Sequence, residues 1–121
     1  MREIKFKGKR LDNGEWMYGD LLHLVDGVYI SNDNGNNMAQ VYSDTVGQYT
    51  GYVGKNGKEI YEGDVIHIGP DYYVVIWVED LGGFYLKVDY AKLPCTSPLG
   101  AMLCRFDFEV IGNINDDQKG G

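Results

Sequence analysis

The run Thr45–His67, TVGQYTGYVGKNGKEIYEGDVIH, decides the fold. It holds five of the chain's 17 glycines and three of its tyrosines. Asn56-Gly57 reads as a hairpin turn, because both residues tolerate the positive φ of a type I′ turn. Tyr61-Glu62-Gly63-Asp64 leads into Val65, Ile66 and Ile68, a strand stopped by Gly69-Pro70. Gly63 permits a sharp bend, and Asp64 can accept backbone N–H bonds beside it, which is how small barrels enter a strand.

On the C-terminal side, Val74, Ile76 and Val78 share one face of Tyr72–Val78, while Tyr73, Val75 and Trp77 share the other. A strand apolar on both faces is central, or lies where a sheet curls on itself. Gly82-Gly83 turns the chain into Phe84–Tyr90, and Phe108–Ile114 is the last strand. Between them Ala91–Arg105, broken by Pro94 and Pro98, is irregular, with Leu99–Cys104 a helical turn or a loop. On the N-terminal side, Ile4, Phe6 and Gly8 alternate with Lys5, Lys7 and Lys9, a period-two strand with one wet face. Asp12-Asn13-Gly14 turns it into a strand with Trp16 and Tyr18 on one face, and Asp26-Gly27 joins Leu21–Val25 to Val28–Ser31. Asn32–Asn37 is an exposed Asx-rich loop. Aligned as an EF-hand it puts Ile30 and Val41 at the two anchoring positions, so that motif fails. The expectation is an all-β chain with little helix and a single domain over 1–121. Its antiparallel sheets are bent and partly barrelled: an N-terminal β-meander (sub-sheet 1–41) and a small-barrel-like C-terminal part (45–114). Residues 115–121 read as a flexible tail.

The 121 residues carry a net charge of −7, which disfavours non-specific contact with a phosphate backbone. The basic residues are segregated: Arg2, Lys5, Lys7, Lys9 and Arg10 lie in the first ten positions, and none falls between Leu11 and Gly54. Lysines at alternate positions suit an edge strand guarded against aggregation. A basic edge beside an acidic body also suits head-to-tail self-association. No apolar run approaches the length of a membrane helix, and no signal-peptide core follows Met1-Arg2-Glu3. The chain therefore reads as intracellular with reduced thiols. Cys95 and Cys104 lack a CxxC partner and His23 and His67 are distant, so no zinc site or other cofactor is expected.

Glu62, Asp64 and His67 are the nearest approach to acid–base or metal chemistry. Along a regular strand, however, His67 has the opposite parity to Asp64 and points away from it. The glycines at 47, 51, 54 and 57 match neither the phosphate-loop nor the dinucleotide spacing. The aromatic residues, Trp16, Tyr18 and Trp77 among them, could form stacking platforms for single-stranded nucleic acid. Their basic accompaniment is missing over residues 11–54, so core or subunit interface is the stronger reading.

An ordered set of motifs carries a resemblance. It begins with Ile4-Lys5-Phe6 and Gly8-Lys9-Arg10, then Gly14, Trp16, Tyr18 and Gly19-Asp20. Thr45-Val46-Gly47-Gln48-Tyr49-Thr50-Gly51 follows, then Lys55-Asn56-Gly57-Lys58-Glu59-Ile60-Tyr61-Glu62-Gly63-Asp64, and finally Glu109-Val110-Ile111-Gly112-Asn113-Ile114. Nearly end to end, the chain resembles the YopX family of phage and prophage proteins. It departs where Gly54 replaces a usual Asp, and in the irregular segment Ala91–Arg105, which has no counterpart in the pattern. The resemblance implies a β-rich fold with a bent, partly closed sheet and a phage or prophage origin, and it implies no reaction. The expected function is a non-catalytic β module of the bacterial host cytoplasm, working through contacts with itself and with host or phage proteins. The alternative is a nucleic-acid-associated small barrel using the N-terminal lysines, and then a metal-dependent or hydrolytic enzyme. Candidates for a functional or a fold-signature role are Gln48, Tyr49, Thr50, Tyr61, Glu62, Asp64 and His67. Interface candidates are Trp16, Tyr18, Trp77, Lys5, Lys7 and Lys9.

Overall fold

A computed structural model of the chain describes residues 3–88 and 96–116. The 115–121 tail beyond Asp116, the end of the Phe84–Tyr90 strand and the first part of the irregular segment, Cys95 included, lie outside the described residues. The strands are β1 (Phe6–Lys9), β2 (Trp16–Leu24), β3 (Gly27–Asn32), β4 (Asn37–Val41), β5 (Gly47–Val53), β6 (Glu59–Tyr61), β7 (Asp64–Ile68), β8 (Asp71–Val78), β9 (Gly83–Val88), β10 (Thr96–Pro98) and β11 (Glu109–Asn113). One short helix, α1 (Leu99–Arg105), follows β10. They form two antiparallel sheets, ordered β4-β3-β2-β1-β5-β6 and β10-β9-β8-β7-β11. The chain divides into two compact units, and the division falls inside β5, between Tyr49 and Thr50.

In the first unit the turns lie where the local chemistry put them. Gly14, at positive φ, closes the β1–β2 turn through its N–H to the Arg10 carbonyl (2.9 Å). The Asx-rich loop turns tightly, with Asp33, Asn34 and Gly35 all at positive φ. Met17, Ile30 and Val41 form the core, with Phe6, Leu21 and Val28 packed against it. Gly19 lies at φ 157° against the Ser31 carbonyl, where any Cβ would collide with backbone. The meander curls until β4 meets the chain just past β1. Tyr42 N–H donates to the Lys9 carbonyl (2.8 Å), Leu11 N–H donates to the Gln40 carbonyl (3.0 Å), and Arg10 bridges Val41. A single bridge leaves the sheet curled rather than closed.

Two expectations about β1 need correction. It is not an edge strand: β2 pairs with one side, and β5 pairs with the other through Phe6–Gln48 and Lys7–Gly47. Nor is its lysine face wet, because Lys7 and Lys9 are buried. Alternation of lysine with apolar residues marks the two faces of a strand; it does not say which face meets water.

In the second unit β8 is the central strand, as its two apolar faces require. One face of this sheet builds the core from Ile66, Ile68, Val75 and Leu86, completed by Ile60 of β6 and Leu99 of α1. Fully burying each such side chain contributes about 1.5–3 kcal/mol. Asn56 and Gly57 both hold positive φ in the β5–β6 turn, as the hairpin reading requires. The strand order is open, so the small-barrel character of this part takes the form of an antiparallel sheet without closure among the described residues.

Candidate functional site

Directly opposed residues of an antiparallel pair share a face. Lys9 lies opposite Trp16 and Lys7 opposite Tyr18. Lys5 meets Tyr49, whose N–H donates to the Lys5 carbonyl (2.8 Å). The register thus gathers the three lysines and three rings on one face of β1. The Lys7 ammonium stands 4.4 Å from the Trp16 ring centroid and the Lys9 ammonium 5.6 Å from it, while Lys5 stands 5.2 Å from the Tyr49 ring. All are within cation–π range. Lys7 and Lys9 are only 6% and 4% exposed. A charge buried that deeply is held by what surrounds it, and among the described residues every buried side-chain polar atom has a partner. Gln48, half-buried, faces Phe6 on the other side of β1.

Beside this face a polar groove of about 460 Å³ is lined by Arg10, Glu15, Trp16, Tyr18, Asn32 and Met38, among others. The Arg10 guanidinium is not free to serve it, because Asp12 grips it in a fork through Nε (3.0 Å) and Nη2 (2.7 Å). That hydrogen bonding holds the Asp12 carboxyl below its ordinary range and raises Arg10.

In the second unit, the turn from β6 to β7 folds around Asp64. This carboxylate is 2% exposed. Its Oδ2 accepts the Tyr61 N–H (2.8 Å), and its Oδ1 accepts the Asn113 side-chain amide (2.9 Å) from β11. Gly63, at φ 92°, donates its N–H to the Val75 carbonyl (2.8 Å) and accepts the Ile114 N–H (2.9 Å). Asp64 therefore ties three segments together, and both its oxygens are committed. Thr50 is also structural: its hydroxyl donates to the Ile60 carbonyl (2.8 Å) and accepts the Tyr52 N–H (3.2 Å). Tyr61, buried, donates its hydroxyl to Glu59 (3.1 Å).

His67 leaves this knot. Burial alternates along β7, with Asp64, Ile66 and Ile68 inside and Val65 and His67 half-buried on the other face. There His67 stacks on Tyr72 of β8, ring centroids 4.5 Å apart and planes 15° apart. Glu62, half-buried, sits in the turn itself. Asp64 and His67 do not share a site, and among the described residues no three acidic, histidine or cysteine side chains are placed to hold a metal ion. Trp77 lies at the end of β8, half-exposed, edge-on to Phe84 (5.1 Å), with its indole N–H donated to Glu79 (2.9 Å).

Sequence reasoning missed Asn113, whose partner lies 49 positions away. It also missed the second face of the five-stranded sheet. Across β7, β8 and β9 the residues Val65, Val74, Ile76 and Tyr85 fall in register on the face away from the core, and all are half-buried. The double apolar face of Tyr72–Val78 was the available signal. No helix among the described residues is long and apolar enough to cross a membrane.

The fold has a solved counterpart in the crystal structure of protein EF1440 from Enterococcus faecalis. The match has a TM-score of 0.57 and 18% identity over 97% of this chain and 96% of that one. At that identity the likeness concerns the fold alone. No curated protein matches the chain. The family model described as YopX protein matches residues 3–119, nearly the whole sequence, and the chain belongs to the YopX family.

Proposed function

We propose that this chain is a non-catalytic β module that works through protein contacts, including contacts between copies of itself. We further propose that it is made by a phage or prophage and acts in the host cytoplasm. One observation carries the reading: the second sheet buries a full core on one face and keeps a second apolar face, centred on Val65, Val74 and Ile76, that no core cluster of the described residues closes. Half-buried apolar residues contiguous across three strands suit a macromolecular partner. The acid–base alternative is weakened by Asp64, whose oxygens hold the fold, and by His67 on the opposite face. The nucleic-acid alternative is weakened by Lys7 and Lys9, which are buried on Trp16 instead of presented to solvent.

Light scattering of the purified full chain tests the reading, from about 5 μM to about 500 μM, the range of weak to moderate association. The expected result is a mass that rises above 13.6 kDa with concentration. A monomer throughout, with no protein from induced host cells cross-linking to the Val65–Val74–Ile76 face, would overturn it.

A further inference from the structure

We infer that the second face of the β10-β9-β8-β7-β11 sheet binds the same face of another copy, in a two-fold dimer locked by Lys87 of each chain against Glu109 of the other. This rests on the self-association just proposed and adds the face, the symmetry and the ion pairs.

The register places the groups. Lys87 of β9 lies opposite Val74, and Val74 lies opposite Val65. Glu109 of β11 lies opposite His67, on the same face as Val65. Tyr85 lies opposite Ile76 on that face. The apolar centre is therefore flanked by a cation on β9 and an anion on the edge strand β11. Strands spaced about 4.8 Å apart put the two charges roughly 15 Å from each other across the face, too far to pair within one chain. Among the described residues neither Lys87 nor Glu109 takes part in a salt bridge or a side-chain hydrogen bond.

Symmetry supplies what one chain cannot. An isologous interface brings residue i against j and j against i. Take a two-fold axis in the plane between two such faces, perpendicular to the line joining Lys87 and Glu109. It sets each Lys87 over the partner copy's Glu109 and, because it runs between β8 and β7, lays Val74 of each copy over Val65 of the other. Packed sheets stand about 10 Å apart, a gap that a lysine and a glutamate reaching from opposite sides can close. Like charges at both ends of the face would repel under the same operation. One of each sign makes the face complementary to itself, which is why a second copy is favoured over an unrelated partner.

Charge exchange tests it, read by sedimentation equilibrium of the full chain with far-UV circular dichroism as the check of folding. Lys87→Glu alone and Glu109→Lys alone each place two like-charged pairs in the dimer, and each is expected to weaken association about tenfold or more. The double variant Lys87→Glu/Glu109→Lys restores opposite signs and is expected to associate like the unaltered chain, as is an equimolar mixture of the two single variants in comparison with either alone. Ile76→Asp is expected to abolish association. If the unaltered chain self-associates but the single variants are as strong as it is, this dimer is wrong while self-association stands on another surface. If the double variant is no better than the singles, the Lys87–Glu109 pairing is wrong. If the unaltered chain is monomeric throughout, this dimer falls together with the self-association it rests on.

Discussion

Asp64→Ala separates a scaffold carboxylate from a catalytic one. The substitution removes the acceptor for the Tyr61 N–H (2.8 Å) and for the Asn113 amide (2.9 Å), leaving two donors stranded at a buried position. Hydrogen bonds to a charged group contribute about 1.5–3 kcal/mol each, so the loss is about 3–6 kcal/mol. That is a large share of the roughly 5–15 kcal/mol that holds a domain together. With a urea slope of about 1.5 kcal/mol per molar, the midpoint falls by roughly 2–4 M. The chain offers a reporter in each compact unit, since its two tryptophans are Trp16 in the first and Trp77 in the second. In a Trp16→Phe background, fluorescence on urea titration follows the unit that contains Asp64. His67→Ala is the control: His67 is half-buried and its stack on Tyr72 is worth about 0.5–1.5 kcal/mol. A loss below about 1 kcal/mol for Asp64→Ala, or one smaller than that of His67→Ala, refutes the account of Asp64 as the tie between β6, β7 and β11.

Lys7→Met keeps most of the aliphatic stem and removes the charge over Trp16; a loss of about 0.5–2 kcal/mol and a shifted Trp16 emission spectrum are expected in a Trp77→Phe background, and an unchanged spectrum would refute the contact. Gly19→Ala and Gly51→Ala both force alanine to positive φ, but only at Gly19 does the new Cβ strike backbone, at the Ser31 carbonyl, so thermal melts should show Gly51→Ala folded at a cost of about 1–2 kcal/mol and Gly19→Ala far less stable. The Arg10 hydrogen bonds lower the Asp12 carboxyl in the folded chain, so their stabilisation is present above the unfolded carboxylate pKa and is lost as pH falls through the lower folded value. Carboxyl-carbon NMR should place the Asp12 titration below that of a free aspartate, and Arg10→Ala should move it back up; a midpoint that Arg10→Ala leaves unmoved would show that the fork does not hold in solution.

The turns were legible because they are local. Asn56-Gly57 and Gly69-Pro70 each carry their φ requirement in two adjacent residues and each separates strands in the structure, while Asp26-Gly27 is displaced by one residue, Val25-Asp26 forming the turn and Gly27 opening β3. The central place of β8 was legible too, since apolar residues on both faces need cover on both. What stayed hidden depends on pairing between distant segments. The Lys5-Lys7-Lys9 alternation is the same string whether its strand lies at an edge or between neighbours, and only the pairing with β5 decides between them. The sequence did contain a clue. The turn spans four residues, Leu11–Gly14, and counting outward from it sets Trp16 and Tyr18 against Lys9 and Lys7, an aromatic opposite each cation. An edge strand guards itself with charges that face water; a strand whose charges are met in register by rings can bury them at far lower cost. The hairpin register, more than the lysines themselves, is what tells a guarded edge from a sealed centre. The same counting on β7, β8 and β9 separates the core face from the one that carries Lys87 at one side and Glu109 at the other.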